Sequence, residues 1–197
     1  MKRALVIVNP TAGQRTPEDT RSEIEEAATE HAEWRCEIRE TTGPGDAARW
    51  AGEAAAEGFD RVIAVGGDGT VTEAAAGLLE AGSDLPLAAI PVGTANVLGE
   101  VLRVPSDLGE AVAVALTGEA RDFDIGHLPE HDRYFLIGIG IGIPGKTVEN
   151  ADRTAKDRFG FAAYVFAFLE GLAENRSAVI DSTIDGEPHI ASGQSVI

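Results

Sequence analysis

The chain has 197 residues, 44% hydrophobic and 25% charged, a balance suited to one soluble domain with room for a small or incomplete second one. Thirty-three acidic against 16 basic residues give a formal net charge of −17, which argues against nucleic acid as a partner and against docking on anionic lipid without a local patch or high salt. One cysteine, Cys36, excludes an internal disulfide and fits a reducing, cytoplasmic compartment; it reads as a small apolar residue in a strand.

In chain order, Met1-Lys2-Arg3 carries the charge of a secretion signal, but the apolar run Ala4 to Val8 is too short for one and stops at Asn9-Pro10. That run predicts a strand, followed by a turn at Asn9-Pro10-Thr11-Ala12-Gly13. A polar helix is expected from about Pro17 to His31, with proline at its start and acids in its first turns, as the helix dipole favours. Trp34 to Glu40 alternates as a second strand. Thr41 to Gly45 is a loop, after which Asp46 stands where it could cap a helix running to about Glu57.

Val62-Ile63-Ala64-Val65 then reads as a buried strand and Val71 to Glu80 as a helix, joined by Gly66-Gly67-Asp68-Gly69-Thr70. A glycine-rich turn that leaves a strand and opens a helix exposes unpaired N–H groups at the positive end of that helix, and its natural occupant is a phosphate. The bland alternative is a tight turn with no ligand. A strand from Leu85 to Pro91 leads into a second such turn, Pro91-Val92-Gly93-Thr94-Ala95-Asn96, and helices are expected over Val97–Leu102 and Leu108–Leu116. Repeated strand–helix units with short connections predict a parallel, doubly wound α/β sheet. In such sheets ligands bind outside the carboxyl ends of the strands, and four polar or glycine-rich loops gather on that one rim.

After about Arg121 the pattern changes. Asp122 to Ile125 and Tyr134 to Ile143 read as strands, the latter with glycines at alternate positions from Gly138. A helix is expected from about Lys156 to Ala173, its stripe of Phe161, Val165, Phe168, Leu169 and Leu172 reading as buried core. Its apolar stretch, cut at Glu170, falls short of the roughly 20 residues that cross a bilayer. Ala178 to Ile184, the favoured turn pair Asp185-Gly186 and a second run ending at Ile197 predict a hairpin. The expected organisation is a nucleotide-binding domain over residues 1–121 and an incomplete, truncated β-rich domain over 122–197, whose exposed edge would invite self-association into a homo-oligomer. Only Lys2, Lys146 and Lys156 are lysines, which with the excess of acid hints at a salt-rich source.

These motifs resemble, in order, those of the diacylglycerol kinase catalytic-domain superfamily, nearest its bacterial-type lipid kinases and their sphingosine and ceramide kinase relatives. Asn9-Pro10-Thr11-Ala12-Gly13 is similar to the family's opening motif, and Gly66 to Thr70 with Glu73 and Gly77-Leu78 to its nucleotide signature. Pro91 to Asn96 is similar to its second phosphate loop, while Phe135–Ile143, Lys156 to Gly160 and Tyr164 resemble the entry into its second domain.

The resemblance implies ATP-dependent phosphoryl transfer, with Mg²⁺, to the hydroxyl of a lipid reached by transient contact with a membrane surface. It implies nucleotide contacts from Asn9, Pro10, Thr11, Ala12, Gly13, Thr41, Gly66, Gly67, Asp68, Gly69, Thr70, Val71, Thr72, Gly93, Thr94 and Asn96. Asp68, and more weakly Asp124, would serve Mg²⁺ through water; a helix cap is the structural alternative for Asp68. The family's catalytic base sits in a late Asp-Gly-Glu. Asp185-Gly186-Glu187 has those letters but the position of an earlier hairpin turn, so the base is expected beyond Ile197 and activity of this chain is expected to be impaired. Glu100 stands where relatives often carry a basic residue, with Arg103 the nearest cation. The alternatives are a non-catalytic nucleotide-binding module and a nicotinamide-nucleotide kinase, which shares the Gly-Gly-Asp-Gly loop.

Overall fold

The structure is a computed structural model that describes residues 1–93, 96–138, 141–142, 178–193 and 195–196. The chain divides into two compact units, Met1–Leu136 and Ile137–Ile197.

The first unit is built on four strands, β1 (Lys2–Val8), β2 (Trp34–Glu40), β3 (Arg61–Gly66) and β4 (Leu87–Pro91), in a parallel sheet of order β2-β1-β3-β4. Period-two geometry splits the continuous apolar run of β1 between two cores. Ala4, Val6 and Val8 join Ile63, Val65 and Ile90 on one face, covered by α1 (Pro17–Thr29) through Ile24 and by α5 (Leu108–Thr117) through Leu108, Ala111, Val112, Ala115 and Leu116. Leu5, Ile7, Val62 and Ala64 form the other face, covered by α2 (Asp46–Glu53), α3 (Asp68–Glu80) and Leu98 of α4 (Val97–Val101). Each fully buried Leu, Ile or Val contributes about 1.5–3 kcal/mol, so the double-sided cladding outweighs the helices' own modest propensities. The expected doubly wound α/β architecture is the observed one.

Helix ends follow local chemistry. The Thr16 hydroxyl accepts from the Asp19 N–H (3.1 Å) to cap α1, and the Asp107 carboxylate accepts from the Glu110 N–H (2.9 Å) to cap α5. Asp46 does not cap α2. It is the first helical residue; Gly45, at φ +92°, is the cap position, and the Asp46 carboxylate turns back into the preceding loop. Past Glu53 the chain continues in turns that close at Gly58 (φ +78°), where the N–H groups of Gly58 and Phe59 bond back to Ala55 and Ala54. This Schellman closure turns Phe59 into the core.

A second correction concerns Asp122 to Ile125, which is irregular rather than a strand. Asp122, Phe123 and Asp124 are exposed, and the pairing begins one residue later, in β5 (Gly126–Leu128) against antiparallel β6 (Arg133–Phe135). Gly126 is needed there because the Phe135 ring lies where its Cβ would stand. The expected long strand from Tyr134 is split between β6 and β7 (Ile141–Gly142).

In the second unit β7 pairs antiparallel with β10 (Ser195–Val196), and β8 (Ala178–Ile184) forms a hairpin with β9 (Glu187–Gly193). Asp185 (φ +51°) and Gly186 (φ +87°) make its two-residue turn, both left-handed as such turns require. The helix expected from Lys156 to Ala173 lies outside the described residues. Among the described residues no helix is long and apolar enough to cross a membrane.

Candidate functional site

The chain runs from β1 outward to β2, then returns across to β3 on the opposite side, so the strand order reverses between β1 and β3. A crevice at the carboxyl ends of those two strands is the expected ligand position in such a sheet. The loops after β1 and β3 meet there. Asn9 Nδ2 donates to Thr70 Oγ1 (3.1 Å), while Asn9 Oδ1 accepts from the Thr11 N–H (3.1 Å) and the Thr11 hydroxyl (2.9 Å). One side chain therefore shapes the Asn9 to Gly13 turn and ties it to α3. Thr70 is only 7% exposed and packs against Gly66, where a Cβ would stand 2.6 Å from its hydroxyl oxygen.

Beyond Gly66 the backbone opens. Gly67 is the cap residue of α3 and has no side-chain capping bond, and among the described residues the N–H groups of Gly67, Asp68 and Gly69 find no acceptor. A Cβ at Gly69 would meet nothing within 4 Å, and at Gly67 only the Gly93 Cα at 3.9 Å. Among the described residues, three amides without an acceptor thus gather at the positive end of the 13-residue helix α3, with room beside Gly69. Val71 is buried in the core behind them. The Thr72 hydroxyl donates back to the Asp68 carbonyl (2.8 Å), a bond within its own helix.

The loop after β4 is drawn in through backbone contact. A Cβ at Gly13 (φ +76°) would lie 1.9 Å from the Val92 carbonyl oxygen, and one at Gly93 would lie 2.9 Å from the Gly67 Cα. Only glycine allows these approaches. The Asp68 carboxylate accepts from the Val97 N–H (3.1 Å) and the Leu98 N–H (3.0 Å), so it caps α4, some thirty residues away, rather than its own helix. Asn96 is left-handed (φ +47°), its Nδ2 donates to the Gly93 carbonyl, and its buried Oδ1 has no partner among the described residues. Thr94 lies outside the described residues.

The fourth corner, after β2, is built differently. Thr41 N–H donates to the Val8 carbonyl (2.8 Å). Asp46 Oδ2 accepts from the Thr42 N–H and hydroxyl (both 2.8 Å) and from the Gly43 N–H (3.2 Å). Those bonds, with Arg49 against Oδ1 (3.0 Å), hold the Asp46 carboxyl down at about 2. Glu73 Oε1, reaching over from α3, accepts from the Gly45 N–H (2.6 Å) and the Ala47 N–H (3.1 Å). Glu73 is the residue that sequence reasoning placed in a motif without giving it a task. Its signal was the spacing: it stands four residues before Gly77, on the α3 face that packs against α2.

Of the acidic residues considered for a metal, Asp68 gives one lone pair from each oxygen to α4, and Asp124 lies exposed in the irregular stretch before β5. No group of three or more His, Cys, Asp or Glu among the described residues could hold a metal ion. Cys36 is half-buried against the core, and burial pushes its thiol up, away from reactivity. A depression of about 500 Å³ lies at the other end of the sheet, around Lys2, Trp34 and Arg61. There Arg61 donates to the Ala115 (2.5 Å) and Gly118 (3.1 Å) carbonyls at the end of α5, and both Lys2 and Arg61 lie over the Trp34 ring. Arg61 Nε has no partner among the described residues, but it is buried there out of a ligand's reach, so the amides of the rim mark the candidate site.

A family model described as the diacylglycerol kinase catalytic domain matches residues 3–128, more than half of the chain. The diacylglycerol kinase of Bacillus subtilis (strain 168) is 33% identical over 188 residues, which cover 95% of this chain and 61% of that protein. The diacylglycerol kinase of Staphylococcus aureus (strain MRSA252) is 31% identical over 199 residues, again covering 61% of that protein. Among solved structures, a diacylglycerol kinase from Bacillus anthracis str. Sterne matches 98% of this chain and 62% of its own, with TM-score 0.77 and 27% identity. The chain thus spans about three fifths of the length of these relatives.

Proposed function

Because the chain belongs to the diacylglycerol kinase catalytic-domain family, we propose that its first unit binds ATP and that the whole protein transfers the γ-phosphoryl group to the hydroxyl of diacylglycerol or a related lipid. The observation that carries this reading is the row of amides at Gly67, Asp68 and Gly69 that have no acceptor among the described residues at the head of α3, with room beside Gly69. Phosphoryl transfer asks chiefly for positioning and for stabilisation of phosphate charge, and fixed backbone donors supply both without reorganising.

In this reading those amides hold phosphate oxygens. Asn9 and Thr70 keep the first turn, Pro10 to Gly13, folded over them, and Gly93 and Asn96 close the far side; Thr94 is expected to add a hydroxyl. Thr41 meets the other end of the nucleotide. Mg²⁺, carried by the phosphates, neutralises their charge; Asp68 keeps a free lone pair on each oxygen for a water of that ion, with Asp124 a more distant candidate. Residues 1–121 serve the nucleotide and 122–197 belong to the side that meets the lipid, in the cytoplasm at a membrane surface.

A second reading, a nucleotide-binding module without transfer, draws on one observation. Asp185-Gly186-Glu187 sits at a tight hairpin turn, so it gives no sign of a base aimed at an acceptor hydroxyl. Labelled ATP offered with diacylglycerol, sphingosine and NAD separates the readings. Labelled lipid supports the kinase, nucleotide binding without product supports the module, and labelled NAD would remove the lipid reading.

A further inference from the structure

We propose that Glu73 is a positioning residue for the nucleoside end of the bound nucleotide, acting through the Thr41–Ala47 loop. The inference rests on the ATP reading above and assigns to its site a polarity that the motifs alone do not contain.

Backbone donors distinguish the two corners of the rim. Between Thr41 and Ala47 every N–H is taken: Thr41 by the Val8 carbonyl, Thr42 and Gly43 by Asp46, Asp46 by the Gly43 carbonyl, Gly45 and Ala47 by Glu73. Pro44 has none to give. This corner therefore has no backbone N–H left for a phosphate oxygen, and it gathers two carboxylates, Asp46 (paired with Arg49) and Glu73, that disfavour one; what it still offers is the neutral Thr41 hydroxyl. The Gly67–Gly69 corner has the reverse character, with amides that find no acceptor among the described residues and with room beside Gly69. A triphosphate held at Gly67–Gly69 places its uncharged end as the part the Thr41–Ala47 loop can accept.

Glu73 is what fixes that loop in place. It starts α2 from a distance, because Gly45 has no side chain with which to cap the helix itself. A single oxygen receives both N–H groups, at 2.6 and 3.1 Å, from a helix whose first turn also carries the phosphate amides. Gly77, one turn further along α3, lets the Ala48 carbonyl come so close that a Cβ would lie 1.9 Å from it, which sets the level at which the two helices meet. Glu73 thus couples the height of Thr41 to the position of the phosphate cradle within one rigid pair of helices.

The test measures calorimetric affinity of the full chain for Mg²⁺ with ATP and for Mg²⁺ with inorganic tripolyphosphate. Glu73→Ala is expected to weaken ATP binding about tenfold, the scale of one lost charge-assisted anchor, while tripolyphosphate affinity stays within about twofold. Glu73→Gln keeps a carbonyl acceptor and should restore ATP binding. Glu73→Asp keeps the charge but loses the reach, should behave like alanine, and replaces it if the alanine variant does not fold. A purely structural role would lower both affinities together, and that result overturns the proposal, as does unchanged ATP binding in the folded variants. Wild-type protein that binds neither ligand overturns the ATP reading itself, and this proposal with it.

Discussion

Gly77→Ala tests the packing that holds the rim together. In a free helix this change favours folding by about 1 kcal/mol, because glycine is the poorer helix former. Here the new Cβ would stand 1.9 Å from the Ala48 carbonyl oxygen, 2.6 Å from its carbon and 2.7 Å from its Cα, all backbone atoms that cannot rotate aside. Ordinary contact begins near 3.4 Å, so α2 and α3 must part by about 1.5 Å. Overpacking of this kind costs about 1–3 kcal/mol. The same movement would break the 2.6 and 3.1 Å bonds from Gly45 and Ala47 to Glu73, whose loss adds about 1–3 kcal/mol for a charged acceptor. Set against the helix-propensity gain, the net expected loss is about 1–5 kcal/mol. Urea unfolding followed by far-ultraviolet circular dichroism should show a midpoint lower by about 0.5–2.5 M, for a slope of about 2 kcal/mol/M. An unchanged or higher midpoint would refute the claim that these helices touch through Gly77.

Gly69→Ala should leave that midpoint unchanged or raise it, because its Cβ meets open space in a helix, yet lower ATP affinity by putting a methyl where a phosphate belongs. Equal ATP affinity in calorimetry would count against the cradle. Asp68→Ala strips the cap from Val97 and Leu98, and faster amide exchange is expected in α4 than in α3; unaltered exchange in α4 would deny the cap. The Asp46 carboxyl, about 2 in the folded chain against 3.8 when free, adds stability that is complete above the free value and disappears as the pH falls toward 2. The melting temperature of Asp46→Asn should accordingly change less between pH 4 and pH 2 than that of wild type.

The layers and their order along the chain could be read from the sequence because the apolar runs are short, regular and punctuated by glycine and proline. The limits were physical. Ala4 to Val8 is apolar throughout, so nothing in it says which alternate residues meet α1 and which meet α3, and the order β2-β1-β3-β4 is set by crossovers that leave no local mark. Phe123 and Ile125 alternate with aspartates as a strand would, but a strand needs a partner, and the neighbouring segment pairs from Gly126 instead. At the rim, the glycines and threonines were visible as candidates. What joins them was not: Asp68 to Val97, Glu73 to Gly45 and Asn9 to Thr70 each span dozens of residues. Asp46 shows the same limit at short range, since a carboxylate beside a loop can turn forward to the helix or back to Thr42, and only the folded geometry decides.

The two indoles give the protein a built-in pair of optical probes. Trp50 rides on α2, whose first turn hangs from Glu73, whereas Trp34 packs against Lys2 and Arg61 at the amino end of the sheet. Emission from a Trp34→Phe variant would therefore follow the rim as nucleotide is added, and emission from a Trp50→Phe variant would stay steady until the whole domain melts.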